Sequence, residues 1–146
     1  MKGLLMINLG SPDSTSIPDV KKYLDEFLMD KRVIGKSYLF RWILVKLIIL
    51  NTRPRKSAKA YKKIWWKEGS PLIVLSKRLF NKVTKLLDIP VALAMRYGSI
   101  SIKKGLNELN KKGVKDVLVL PLYPHYAMSS YCLLYTSPSP RDSYGS

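Results

Sequence analysis

The sequence predicts an α/β fold, a three-layer sandwich with a parallel sheet, from the order and composition of its apolar segments. Short apolar runs recur at Gly3–Leu9, Val91–Met95 and Val117–Leu122, with helix-periodic segments between them. Strand, helices, strand, helix, strand is the order expected when parallel neighbours are joined by helical crossovers. The runs are continuously apolar rather than alternating, which predicts helices on both faces of the sheet. Such a Rossmann-like or flavodoxin-like arrangement binds ligands at the carboxyl ends of its strands. Three loops would converge there: Gly10–Asp13, Arg96–Ser99 and Pro124–Ser130.

The first run stops at Gly10-Ser11-Pro12-Asp13, a turn composition. It is too short for a secretory apolar region, and no small-residue cleavage site follows it. Pro18 suits a first helical position, after which Val20, Tyr23, Leu24, Phe27 and Leu28 form one apolar helix face. Tyr38–Leu50 reads as a second helix, amphipathic or buried. With 13 residues that include Arg41 and Lys46, it cannot cross a bilayer. Pro54 predicts a break over Asn51–Arg55, because the residue before a proline is pushed out of helical geometry. A short helix from Ser57 to Ile64 and a turn at Lys67-Glu68-Gly69 follow. Ser70-Pro71 then supplies an N-cap and a first-position proline. The helix opened there is expected to turn Leu72, Leu75, Leu79, Val83, Leu86 and Leu87 inward. A final helix, Ile102–Lys112, ends at Gly113.

At 146 residues and 47% hydrophobic, the chain suits one globular domain. Cys132 is the only cysteine and His125 the only histidine, which excludes a disulfide framework, a multi-cysteine metal site and a catalytic histidine pair. This cysteine usage is compatible with a reducing cytoplasm, the expected location. The formal charge of +16 admits a nucleic-acid face, a membrane-surface face, or a solvated lysine-rich surface with a site for an acidic ligand. Lysines are spread over every helix, as in Lys21-Lys22, Lys62-Lys63 and Lys103-Lys104, which favours the last. No Walker loop, dinucleotide fingerprint, metal-ligand cluster or hydrolase triad is present.

From Cys132 the composition changes to CLLYTSPSPRDSYGS, rich in serine and proline and without periodicity. CLLYTSPSPRD resembles the in-frame translation of a transposase adaptor used in sequencing libraries. The expected organisation is therefore a native lobe over residues 1–131 and a non-native, unpacked tail over residues 132–146.

Five separated segments resemble the bacterial ferrochelatase family, in order: NLGSPD (Asn8–Asp13), FLMDKRVI (Phe27–Ile34), TRPRKSAKAYKKI with GSPL (Thr52–Ile64, Gly69–Leu72), AMRYG (Ala94–Gly98) and LPLYPHYAMSS (Leu120–Ser130). The resemblance implies the N-terminal portion of a chelatase lobe, incomplete at its C-terminal side. It also implies a lyase of haem biosynthesis that inserts ferrous iron into protoporphyrin IX or coproporphyrin III. Porphyrin and ferrous iron would be substrates, with no cofactor required.

A porphyrin is a flat apolar disc with carboxylates on one edge, so its site needs apolar walls and Arg, Ser or Tyr donors. Carried over by resemblance, Arg53, Tyr61 and Ser70 are the propionate-side contacts. Arg96 and Tyr97 lie deep in the cleft, and Leu9 belongs to its apolar wall. Each also has a plainer reading: Arg53 as a solvated helix-end arginine, Tyr61 as core, Ser70 as an N-cap. Arg96-Tyr97 is harder to explain structurally, because charge at the end of an apolar strand is usually functional. His125 reads as a loop residue, and Trp65-Trp66 as a membrane anchor or a cover for the cleft's lip.

Ile100 departs from the proline often found there in the family. The family's metal-handling histidine and glutamate belong to its second half, so the resemblance implies no catalytic residue and no metal ligand here, and a chain inactive alone. A related cobalt or nickel tetrapyrrole chelatase is the alternative enzyme. A basic module for nucleic acid or a membrane surface is the alternative outside enzymes. Peripheral membrane contact stays open, and nucleic acid is not expected.

Overall fold

The computed structural model describes residues 1–31 and 33–123. His125, the Pro124–Ser130 loop and the tail over residues 132–146 lie outside the described residues. The described chain gathers into two compact units: Met1–Gly10 with the chain from Leu75 onward, and Ser11–Val74.

The first unit is built on a parallel sheet of β1 (Lys2–Gly10), β2 (Val91–Tyr97) and β3 (Asp116–Pro121), in the order β2-β1-β3. β1 is central. Leu4 lies opposite Val91 and Leu118, and Met6 opposite Leu93 and Leu120. Because successive side chains alternate faces, Leu5 and Ile7 join Ala92 and Ala94 on one side, where α5 (Ile102–Lys111) covers them with Ile102 and Leu109. Leu4, Met6 and Val91 occupy the other face with Phe80 and Val83 of α4 (Pro71–Leu86). Helices thus lie on both faces of β1 and β2, as the continuous apolar runs predict.

Two expectations need correction. Leu75, Leu79, Leu86 and Leu87 of the α4 region do not turn inward; all four are exposed. The inward row is Ser76, Phe80 and Val83, at i, i+4, i+7 spacing. Counting leucines picked the wrong stripe because this helix is apolar on two sides. Coverage of both sheet faces also fails at β3, where Leu118, Val119 and Leu120 are exposed along the sheet edge.

In the second unit α1 (Ile17–Leu28) starts as its sequence predicts, with Pro18 in the first turn. Ser16 caps it, its hydroxyl accepting from the Asp19 backbone N–H at 3.3 Å. Val20 is fully buried, and Tyr23 stacks on Phe27 with ring centroids 6.1 Å apart.

The expected break at Pro54 does not occur. α2 (Tyr38–Trp42), a π-helical segment (Ile43–Ile49) and α3 (Leu50–Ile64) form one continuous helical run. Its buried positions are Arg41, Val45, Leu50, Pro54 and Ala58, spaced by four except for five between Val45 and Leu50. The π segment supplies that extra residue, the Leu50 N–H reaching the Val45 carbonyl. It thereby keeps the inward row in line. A proline inside a helix removes one N–H and crowds the preceding turn. Here the side chains of Asn51 and Thr52 donate to the Leu47 and Ile48 carbonyls, each at 2.8 Å, and help satisfy the irregular turn. After α3, Trp66 and Gly69 exchange backbone hydrogen bonds across the expected tight turn, and Pro71 opens α4.

At the end of β1, Gly10 has φ +114°, and a β-carbon there would lie 1.9 Å from the Tyr97 carbonyl oxygen. Gly113, after α5, has φ +78° with open space around it. Gly113→Ala should therefore cost about 1–2 kcal/mol from backbone conformation alone. Gly10→Ala should cost clearly more, since the strand ends must also separate. Urea unfolding of both variants checks this, and equal losses would contradict the close approach at Gly10.

Candidate functional site

In the first unit the candidate residues sit at the carboxyl ends of β1 and β2. Asn8 pairs with Met95 and Gly10 with Tyr97, so the register sets Leu9 opposite Arg96. By strand alternation Leu9 and Arg96 belong to the α5 side and Tyr97 to the α4 side. Tyr97 is almost fully buried and Arg96 is half-buried, with its guanidinium carbon 5.1 Å from the Tyr97 ring centroid. This cation–π contact holds a positive charge at the strand end over an apolar support. Behind it, the Asn8 amide donates to the Ser76 hydroxyl at 3.1 Å and accepts from the Leu9 N–H at 2.8 Å. Asn8 thus ties the end of β1 to α4 and fixes the backbone at Leu9. Asn8 was not singled out as a site residue from sequence, although it is a polar residue inside an otherwise apolar strand.

The loop after β2 returns onto the strand, the Met95 N–H reaching the Ile100 carbonyl at 2.6 Å. Ser101 then caps α5, accepting from Lys104 N at 3.2 Å. A serine cap starts this helix regardless of the isoleucine at position 100.

In the second unit Arg53 is exposed on α3 and lines a surface hollow of about 500 Å³ with Thr52, Lys56, Ser57 and Ala60. Among the described residues, two cations and two hydroxyls surround that hollow, and no carboxylate lines it. The donor set suits an anion, above all a carboxylate, which arginine can grip through two parallel N–H bonds. Lys56 and Ser57 were not singled out from sequence, although they lie inside the TRPRKSAKAY segment. One turn supplies Thr52, Arg53, Lys56 and Ser57 because they are three to four residues apart.

Tyr61 does not line that hollow. It is half-buried further along α3, with Trp65 edge-on at 6.1 Å between ring centroids. Burial pushes its phenol above the ordinary range, so the hydroxyl keeps its proton and remains a donor at neutral pH. Tyr23 on α1 is shifted further the same way, first by burial, then by the charge interaction with Tyr61, then by Glu26. Ser70 is buried immediately before α4, and its carbonyl accepts from the Val74 N–H at 2.9 Å. Arg53, Tyr61 and Ser70 therefore have three different local supports, whereas Leu9, Arg96 and Tyr97 share one strand pair.

Among the described residues no cluster of His, Cys, Asp or Glu could hold a metal ion. No helix among them is long and apolar enough to cross a membrane.

The ferrochelatase family model matches residues 1–136. The chain belongs to the ferrochelatase family. The ferrochelatase of Opitutus terrae is 52% identical over 133 residues, which cover 89% of this chain and 39% of that protein. That of Azotobacter vinelandii is 53% identical over 128 residues, covering 87% of this chain and 38% of the relative. A Coxiella burnetii ferrochelatase is 49% identical over 130 residues, covering 88% and 37%. The chain thus spans about two-fifths of the length of these ferrochelatases.

The two phenols make alkaline stability a test of the packing. A pKa raised in the folded state stabilises fully below the unfolded value of 10.0, and this stability is lost as pH rises above it. The slope for one such tyrosine is up to about 1.4 kcal/mol per pH unit. Tyr23→Phe should flatten the fall in melting temperature above pH 10.0 relative to the unsubstituted chain. An unchanged alkaline slope would mean Tyr23 is not desolvated.

Proposed function

We propose that this chain supplies the porphyrin-binding side of a ferrochelatase, a lyase inserting ferrous iron into a porphyrin in haem biosynthesis. The observation that carries the reading is the cationic hollow around Arg53, Lys56, Thr52 and Ser57. It lies in TRPRKSAKAYKKI (Thr52–Ile64), one of the five segments that resemble the family. Arg53 and Lys56 grip the propionates, and the hydroxyls complete their hydrogen bonding. Tyr61, with its proton held, adds a neutral donor, and Ser70 another. Leu9 is apolar wall, and Arg96 and Tyr97 lie deep at the strand ends, where Arg96 places one positive charge.

Insertion replaces the two pyrrole N–H protons by the ferrous ion, so it requires proton acceptors and metal ligands. The described residues offer no such cluster. The reaction is accordingly proposed for a protein of the family's full length, with iron and porphyrin as substrates and no resident cofactor. Residues 1–131 are assigned to this lobe, and a cytoplasmic location is proposed with it. The cationic hollow serves a small carboxylate ligand, and nucleic acid is not among the proposed partners.

The test is fluorescence titration of the purified chain with protoporphyrin and coproporphyrin. A charge-assisted bond is worth roughly 1.5–3 kcal/mol, so Arg53→Ala should weaken binding by about tenfold or more, with unchanged circular dichroism. Incubated anaerobically with ferrous iron, the chain alone should leave the porphyrin spectrum unmetalated, while a full-length relative converts it. Binding indifferent to Arg53→Ala, or turnover near the full-length rate, would overturn the assignment.

A further inference from the structure

We infer that Asn8 is a positioning residue for the ligand site at the strand ends, holding Leu9 in the crevice between β1 and β3. This role rests on the porphyrin-binding function proposed for the chain and adds a residue that acts through Leu9. α4 covers one face of the sheet and leads into β2, whereas α5 covers the other and leads to β3. With the strand order β2-β1-β3, the connections therefore diverge between β1 and β3. Open parallel sheets take their ligands at such a switch point, outside the carboxyl ends of the strands. Asn8 and Leu9 lie there, each half-buried.

Alternate residues of a strand turn their backbone groups to the same edge, so Ile7 and Leu9 both direct theirs toward β3. The Ile7 carbonyl accepts from the Leu122 N–H at 2.8 Å, and the register between the two strands runs no further than Ile7 opposite Pro121. The next donor on that edge, the Leu9 N–H, is taken by the side-chain carbonyl of Asn8 at 2.8 Å. A donor satisfied within its own strand has no need of β3, so the ladder stops where the crevice begins. The amide that captures it is itself fixed, because its nitrogen donates to the Ser76 hydroxyl at 3.1 Å and Ser76 is buried on α4. Leu4 and Met6, the preceding residues on this face of β1, are apolar and buried. A leucine at position 8 would continue that face and bury no polar group, whereas asparagine must recover its desolvation through hydrogen bonds. Both ends of the amide are bonded, one to a covering helix and the other to the backbone of the wall residue. The position of α4 is thereby passed on to Leu9.

The 146-residue chain is titrated with protoporphyrin by fluorescence, as the parent and in substituted forms. Asn8→Leu removes both hydrogen bonds at similar volume and should weaken binding about fivefold. Asn8→Asp keeps the oxygen that receives the Leu9 N–H and should restore most of that loss. In a Leu9→Ala background, where the wall is already gone, Asn8→Leu should change the affinity by less than about twofold. Ser76→Ala leaves Asn8 in place but frees its amide, and it serves if Asn8→Leu does not fold. It should weaken binding in the parent and not in the Leu9→Ala background. Melting temperatures, by contrast, should fall alike in both backgrounds. Equal losses of affinity in the two backgrounds would make Asn8 a residue of stability alone and overturn the positioning role. So would a parent whose binding depends on Arg53 but is unmoved by Asn8→Leu. A parent that binds no porphyrin would overturn the function proposed for the chain, and this role with it.

Discussion

The burial of β1 on both faces and along both edges is the constraint on which the sheet-containing unit depends. Leu4, Leu5, Met6 and Ile7 are nearly inaccessible, so every neighbour of this strand has to be apolar and in register. A shift by one residue would exchange the Leu5–Ile7 face for the Leu4–Met6 face and misplace both covering helices at once. That register also carries chemistry. It brings Gly10 against Tyr97 and Leu9 opposite Arg96, and it aims Asn8 at Ser76 on α4. The strand-end residues are positioned as a consequence of core packing, without needing an ordered loop of their own.

The sheet was legible in the sequence because its signal is local and redundant. Each strand is a short apolar run between turn residues, and a parallel order follows from the helical segments between them. What was not legible depends on which of two apolar faces wins. In α4, leucines outnumber the residues that actually pack, yet Ser76, Phe80 and Val83 form the inward row. The Asn8–Ser76 hydrogen bond helps decide it, because a polar strand-end residue seeks a polar partner and draws Ser76 inward. Likewise the apolar run of β3 does not imply that it is covered, and Leu118 remains exposed on an edge strand.

The other misreading, at Pro54, has a cause that local propensity cannot supply. The rule that a proline ends a helix assumes regular i to i−4 bonding. The π segment ahead of Pro54 changes that register and places the proline on the buried row, against which α1 packs. Asn51 and Thr52, which read as breakers, instead back-bond onto the irregular turn. Residues that signal a loop in isolation here stabilise a continuous helix. The family resemblance located Arg53 in sequence. Only the uninterrupted helix shows that Lys56 and Ser57 share its hollow.

A continuous helix also explains how one segment can carry two chemistries. Arg53, Lys56 and Ser57 share one side of α3 around the hollow, whereas Arg55, Lys59 and Lys62 extend the row begun by Leu39, Ile43 and Leu47. A break at Asn51 would have separated these sides and left their relative rotation undefined. The high net charge then needs no single explanation. In the acid-free stretch from Lys31 to Lys67, some cations line the hollow on α3, and others follow the exposed row Leu39, Ile43 and Leu47 into solvent. The two sets face different directions on one continuous helical run, so each chemistry has its own side of the same backbone.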